Sequence, residues 1–235
     1  MVLNIPENVI EENKDCPFMD RCNHVDCGSF CMKRYKTNYY FDNAFIMGDR
    51  RLRFQLRIDS DGSDRKAFDR LALLENGVED FVNQGKNLYI YSRNVGNGKT
   101  SWALRLANNY INKVWYKKDM KPIVLFISVP KFLLELKSNI SAKSDYISHI
   151  LQYVNDCDLV VWDDIGSKNG TEFEVSHLLS IIDQRINNGK SNIYTSNLDD
   201  SELHQFLGDR LYSRVFNYSE VINIVGRDKR RLNNE

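Results

Sequence analysis

Residues Asn87 to Ile111, NLYIYSRNVGNGKTSWALRLANNYI, constrain the fold more than any other stretch of this chain. Leu88 and Ile90, with their tyrosine neighbours, make the short aliphatic and aromatic run of a buried strand. Gly96 and Gly98 follow, where a side chain would collide with a bound anion. Ala103, Leu104, Ala107, Tyr110 and Ile111 then recur at helical spacing, so Lys99 and Thr100 open a helix. A strand that delivers backbone N–H groups to a helix N-terminus forms a cradle for phosphate. The pattern predicts that the loop of Asn94, Val95, Gly96, Asn97, Gly98, Lys99, Thr100 and Ser101 wraps a nucleotide. Lys99 would reach the terminal phosphates, and the Thr100 hydroxyl would sit on Mg²⁺. One departure from the usual spacing is Arg93, where such loops begin with glycine.

A second constraint lies near the start. Four of the five cysteines, Cys16, Cys22, Cys27 and Cys31, crowd into sixteen residues, with His24 among them. Thiolates at such intervals can converge on a tetrahedral Zn²⁺ and fix a segment too short to bury its own core. His24 is an alternative ligand. Two disulfides, free thiols or an iron–sulfur cluster are the competing readings. The charges balance, with 32 acidic and 32 basic residues, so any nucleic-acid contact must come from local patches. No apolar run is long enough to span a bilayer, and the N-terminus does not read as a signal peptide. The expectation is a cytoplasmic protein with no membrane partner.

The remaining chain supplies the other parts of an α/β domain. Residues 33–66 show no clear period, and SDGSD around Gly62 reads as a turn, which puts the domain boundary near residue 60. The expected division is a zinc-binding module and linker over 1–60 and a nucleotide-binding domain over 61–235. Arg65 to Gln84 looks like one helix, with Phe68, Leu71, Leu74, Val78 and Phe81 on one side. Ile123–Ser128 is a continuous apolar strand, and Pro130 starts a helix. Asp158–Asp164, DLVVWDD, is an apolar strand ending in two carboxylates. Asp163 suits the Mg²⁺ shell and Asp164 the attacking water. Asn192–Ser196 is a strand closing on Asn197, an amide suited to sensing the terminal phosphate. Ser201 caps a helix that Gly208 turns, and Arg210 and Arg214 follow four apart, which puts them on one helical face. An arginine supplied to a neighbouring subunit's phosphate is the sharper reading of that pair. Val221–Val225 is the last strand. Five apolar strands with intervening helices predict a three-layer α/β domain around a parallel sheet, with the named tips at the strands' carboxyl ends.

In order, RNVGNGKTS, LVVWDDIG, IYTSNL, GDRLYSRVF and VGRDKRR resemble the AAA+ ATPases of the bacterial and phage helicase-loader group, the DnaC/DnaI type. The similarity covers about Lys66 to Arg231. It implies a P-loop fold of the AAA+/ASCE class with a central five-stranded parallel sheet. It also implies a small zinc-binding module ahead of that domain and no C-terminal lid domain. By resemblance Lys99 and Thr100 are Walker A, Asp163 and Asp164 Walker B, and Asn197 sensor 1. Arg214, with Arg210 second, would be the arginine finger, and Arg227 a sensor 2. Lys131 and Lys137 would contact single-stranded DNA. Asp164 stands where AAA+ proteins more often carry Glu, which suggests weak hydrolysis of ATP to ADP without a stimulus. The implied activity is ATP-dependent loading of a replicative hexameric helicase onto single-stranded DNA by an oligomer of this chain. Two other readings stay open: a transposition-helper ATPase of the IstB type, and a zinc-containing adaptor whose nucleotide pocket is structural. Phage and bacterial origin stay open too.

Overall fold

A computed structural model of the 235-residue chain describes residues 31–46, 56, 58, 62–138, 144–167 and 171–229. The elements run α1 (Met32–Asn43), α2 (Arg65–Asn76), α3 (Val78–Asn83), β1 (Asn87–Tyr91), α4 (Lys99–Val114) and β2 (Val124–Ser128). They continue with α5 (Val129–Ser138), α6 (Asp145–Tyr153), β3 (Leu159–Asp163), α7 (Glu172–Asn187), β4 (Ser191–Ser196), α8 (Asp200–Tyr212), a π-helical turn (Ser213–Asn217) and β5 (Ser219–Asn223). The strands pair in the order β2-β3-β4-β1-β5, every pair parallel.

Alternation along the strands divides the core into two layers. Leu88 and Ile90 of β1, Val124 and Phe126 of β2, Val161 of β3 and Ile193 of β4 face α1 to α4. Tyr89, Leu125, Ile127, Val160, Trp162 and Tyr194 face α5 to α8. Both faces are covered, which is why β2 and β3 read as near-continuous apolar runs. Each fully buried Leu or Ile here contributes about 1.5–3 kcal/mol through removal from water.

The sheet's lower end is held by a buried cation. Arg185 of α7 is fully enclosed and donates to the carbonyls of Cys157 (3.0 Å), Ser191 (2.6 Å) and Val154. Its Nε donates to Asn192 Oδ1 at 2.8 Å. Asn192 in turn receives the Trp162 indole N–H (3.1 Å) and donates to Asn87 Oδ1 (2.9 Å). One guanidinium thus ties α7 to the start of β4 and the approach to β3, where carbonyls would otherwise lack partners.

Several local expectations are corrected. The helix expected over Arg65–Gln84 is two, because Gly77 interrupts it between α2 and α3. Residues 33–66, which show no period, contain α1. Its Tyr40 and Phe41, with Ala44 and Ile46 just beyond, pack in the same core as β1 and α4. The amide of Phe126 also donates to the Ala44 carbonyl at 2.9 Å. Residues 32–46, which the division near residue 60 assigns to the N-terminal module, therefore share the α/β core. Asp199, not Ser201, caps α8, in a capping box with Glu202. The last strand is Ser219–Asn223 rather than Val221–Val225.

Of the proposed zinc ligands, Cys16, Cys22, His24 and Cys27 lie outside the described residues. Cys31 precedes α1 and has a free thiol. Among the described residues no group of three or more His, Cys, Asp and Glu could hold a metal ion. None of the described helices is long and apolar enough to cross a membrane.

Candidate nucleotide-binding site

β1 ends at Tyr91, and the chain then turns through residues 92–98 into α4. Gly98 stands at the N-cap of α4 with φ 103°, a conformation closed to most side chains. The Lys99 side chain, 8% exposed, folds back into the loop. Its ammonium donates to the carbonyls of Asn94 (2.9 Å) and Ser92 (3.3 Å) and to Asn97 Oδ1 (3.4 Å). A lysine held by loop oxygens at a helix N-terminus concentrates positive potential where an anion would bind.

β3 brings the acidic pair to the same end of the sheet. Asp163 Oδ1 accepts from the Thr100 hydroxyl at 2.8 Å and from the Thr195 hydroxyl at 2.7 Å. Hydroxyl and carboxylate oxygens gathered in this way suit a hard cation such as Mg²⁺, which takes few protein oxygens beside substrate phosphate. Asp164 follows with φ 62°, and its amide donates to Thr195 Oγ1 at 2.9 Å. Aspartate tolerates this left-handed backbone better than longer side chains do, which gives a physical reason for its presence. Asn197, just beyond β4, donates to Asp164 Oδ1 at 3.3 Å. Lys99, Thr100, Asp163, Asp164 and Asn197 therefore meet in one place, through three strands that are neighbours in the sheet.

Arg93 reaches across the strand ends to Asp199, with Glu202 4.0 Å away. The carboxyl of Asp199 is held below its usual range first by the Glu202 amide, then by the Ser201 hydroxyl and by Arg93. The residue that replaces the loop's first glycine is thus committed to the cap of α8.

The two candidate arginines have different surroundings, with Arg210 in α8 and Arg214 in the π-helical turn that follows it. Arg210 is exposed, while Arg214 pairs with Asp183 of α7 and lies over the Tyr218 ring at 5.4 Å. Lys131 is also engaged, 3.7 Å from Glu135 and 4.3 Å from the Tyr146 ring centroid, and Lys137 is exposed. Val95 is exposed at the loop's crest, and Ser101 lies in the first turn of α4. Arg227 follows β5 on a segment that crosses the loop.

Thr195 is the residue that motif reading missed. A signal was present: it is a hydroxyl residue at the carboxyl end of the strand that closes on Asn197. Ser92 was missed as well; its hydroxyl accepts from the Asn94 amide at 3.1 Å and from Asn97 Nδ2.

Over residues 53–235 the chain matches the family described as IstB-like ATP binding protein. It is 26% identical over 212 residues to the replicative helicase loader DnaC of Buchnera aphidicola subsp. Acyrthosiphon pisum (strain APS), spanning 89% of this chain and 74% of that one. The crystal structure of the DnaC helicase loader superposes with TM-score 0.56 at 22% identity, covering 74% of this chain and 95% of that chain. The crystal structure of DnaI gives 0.57 at 23%, covering 78% and 94%. These two likenesses establish the shared three-layer fold.

Proposed function

As this chain belongs to the IstB-like ATP-binding protein family, we propose that it is an ATP-dependent loader that places a replicative hexameric helicase on single-stranded DNA. The observation that carries the nucleotide part is the convergence of Lys99, Thr100, Asp163, Asp164 and Asn197 at one end of the sheet. The loading part rests on the DnaC relative, whose similarity runs over most of this chain.

In this reading the loop from Asn94 to Ser101 receives the phosphates, and Lys99 exchanges its loop carbonyls for phosphate oxygens. Thr100 and Asp163 hold Mg²⁺, which when bound neutralises charge on the phosphates. Asp164 orients the attacking water and accepts its proton, while Asn197 fixes the Asp164 carboxylate. Arg214, or Arg210 in its place, serves the nucleotide of an adjacent subunit. Arg227 approaches the nucleotide from the segment beyond β5. The helicase is engaged by the N-terminal segment, with zinc on Cys16, Cys22, Cys27 and Cys31 or with His24 in place of one cysteine. Lys131 and Lys137 contact DNA phosphates. Hydrolysis is slow alone and times release of the helicase.

The test is co-purification with candidate replicative helicases, with and without ATP, followed by metal analysis of the complex. Nucleotide-dependent retention, with ATP turnover raised by helicase or single-stranded DNA, is the expected result. The family match favours a second reading, a transposition-helper ATPase, and retention of a transposase instead of a helicase would establish it. ATP held stoichiometrically without stimulated turnover would point to an adaptor.

A further inference from the structure

Beyond β5 the chain turns back over the phosphate loop and is gripped there by groups that also hold Lys99. Asn97, 2% exposed, accepts from the Lys99 ammonium on Oδ1 and donates through Nδ2 to the Ile224 carbonyl at 2.8 Å. Asn94 accepts from Lys99 on its main-chain oxygen, and its side-chain amide donates to the carbonyls of Val225 and Gly226, each at 3.1 Å. The Lys229 amide donates to the Gly96 carbonyl at 3.0 Å. Asp228 lies directly over Gly96: a Cβ at that position would come within 1.9 Å of Asp228 Oδ1. Gly96 thus serves the crossing segment as well as the loop's own turn. The far end is tied to α2, where the Lys229 ammonium pairs with Asp64, a carboxylate only 3% exposed.

We propose that Ile224–Lys229 is a strap whose seating on the phosphate loop is coupled to nucleotide binding through Asn94 and Asn97, with the Lys229–Asp64 pair as its positioning anchor. The inference rests on the nucleotide site proposed above and adds a regulated element to it. These contacts use loop carbonyls and side-chain amides, whereas phosphate is bound by loop N–H groups, so strap and nucleotide do not compete for the same atoms. The seated strap holds the loop in shape before the anion arrives, which lowers the ordering cost of binding. Linkage then requires the reverse: bound nucleotide must hold the strap in place.

Two measurements on the full chain test this. Hydrogen exchange of residues 224–229 is followed with and without a slowly hydrolysed ATP analogue and Mg²⁺. Slower exchange with nucleotide is expected; unchanged or faster exchange overturns the coupling. Lys229→Gln removes the ammonium that pairs with Asp64 and should weaken nucleotide affinity by roughly fivefold or more, with Lys229→Arg restoring it. Asp64→Asn should act in the same direction, and wild-type affinity in both uncharged variants would overturn the anchor. Nucleotide binding by the unaltered protein separates the two levels. No binding removes the site and the strap together, while binding with an indifferent strap removes the strap alone.

Discussion

The Thr195 hydroxyl donates to Asp163 Oδ1 at 2.7 Å, so a residue of β4 aims the carboxylate that β3 presents to Thr100. Thr195→Val keeps the shape and removes the donor. The expected result is nearly unchanged nucleotide affinity without Mg²⁺, with Mg²⁺-dependent turnover lowered by about tenfold or more, the range seen when partners of metal ligands are removed. Paired calorimetry and phosphate-release assays would read both quantities.

Lys99 is the buried cation of the loop. Lys99→Ala should abolish measurable ATP binding by calorimetry while the thermal midpoint stays near that of the parent, since the lysine's partners are loop oxygens. Undiminished binding would refute the assignment of the phosphate loop.

Asp164 sits at φ 62°, beside the Asn197 amide. Asp164→Asn should retain ATP binding and lower turnover by about 10²-fold or more, the usual contribution of a positioned base. Asp164→Glu places a longer side chain on a left-handed backbone and should cost roughly 1 kcal/mol of stability, read by denaturant unfolding.

Arg214 is held by Asp183 within its own subunit. Arg214→Ala should spare ATP binding, cost at most about 1 kcal/mol of stability as a partly exposed pair, and lower turnover only in the assembled state. Equal loss in dilute monomer would exclude a role across a subunit boundary. Arg210→Ala in parallel identifies which of the two arginines serves the neighbour.

Asp158 precedes β3 and meets Lys118 at 2.9 Å, Lys190 at 3.4 Å and the Tyr110 hydroxyl at 3.0 Å. Burial alone would raise its carboxyl. Lys118, Lys190 and Tyr110 outweigh burial, so the folded value lies below the usual one. Its contribution is therefore full above the unfolded carboxylate value near ~3.9 and is lost as pH falls through the lowered folded value. Asp158→Asn should cost about 1–3 kcal/mol at neutral pH, and the difference from the parent should shrink in acid. A pH-independent difference would contradict this account.

Much of the sheet and its site was legible because both depend on local chemistry. Apolar runs such as IVLFIS and DLVVW read as strands covered on both faces, at the edge of the sheet as well as inside it, and GNGKT between strand and helix specifies the loop. What was not legible depends on partners distant in sequence. The helix α1 buries Thr37 and Tyr40 beside exposed Met32 and Tyr35, so it shows no apolar stripe until β2 and α4 lie against it. Arg185 reads as one more charge on a helix, and only the carbonyls of Val154, Cys157 and Ser191 make it an interior residue. The strap, IVGRDK, has an ordinary composition, and its place over Gly96 follows from the direction in which β5 releases it. The break at Gly208 was visible, whereas the pairing of Arg214 with Asp183 joins residues of different helices and leaves no compositional mark.

The insertion of β4 between β1 and β3 sets a dimension. Lys99 opens the helix that the loop after β1 leads into, and Asp163 ends β3, so the two strands behind them stand two positions apart in the ladder, a backbone interval of about 10 Å. Replacing either side chain alters what the gap can grip but leaves its width as it was. Only a change in strand pairing could widen it, so this chain's tolerance for a differently sized guest is written in its main chain.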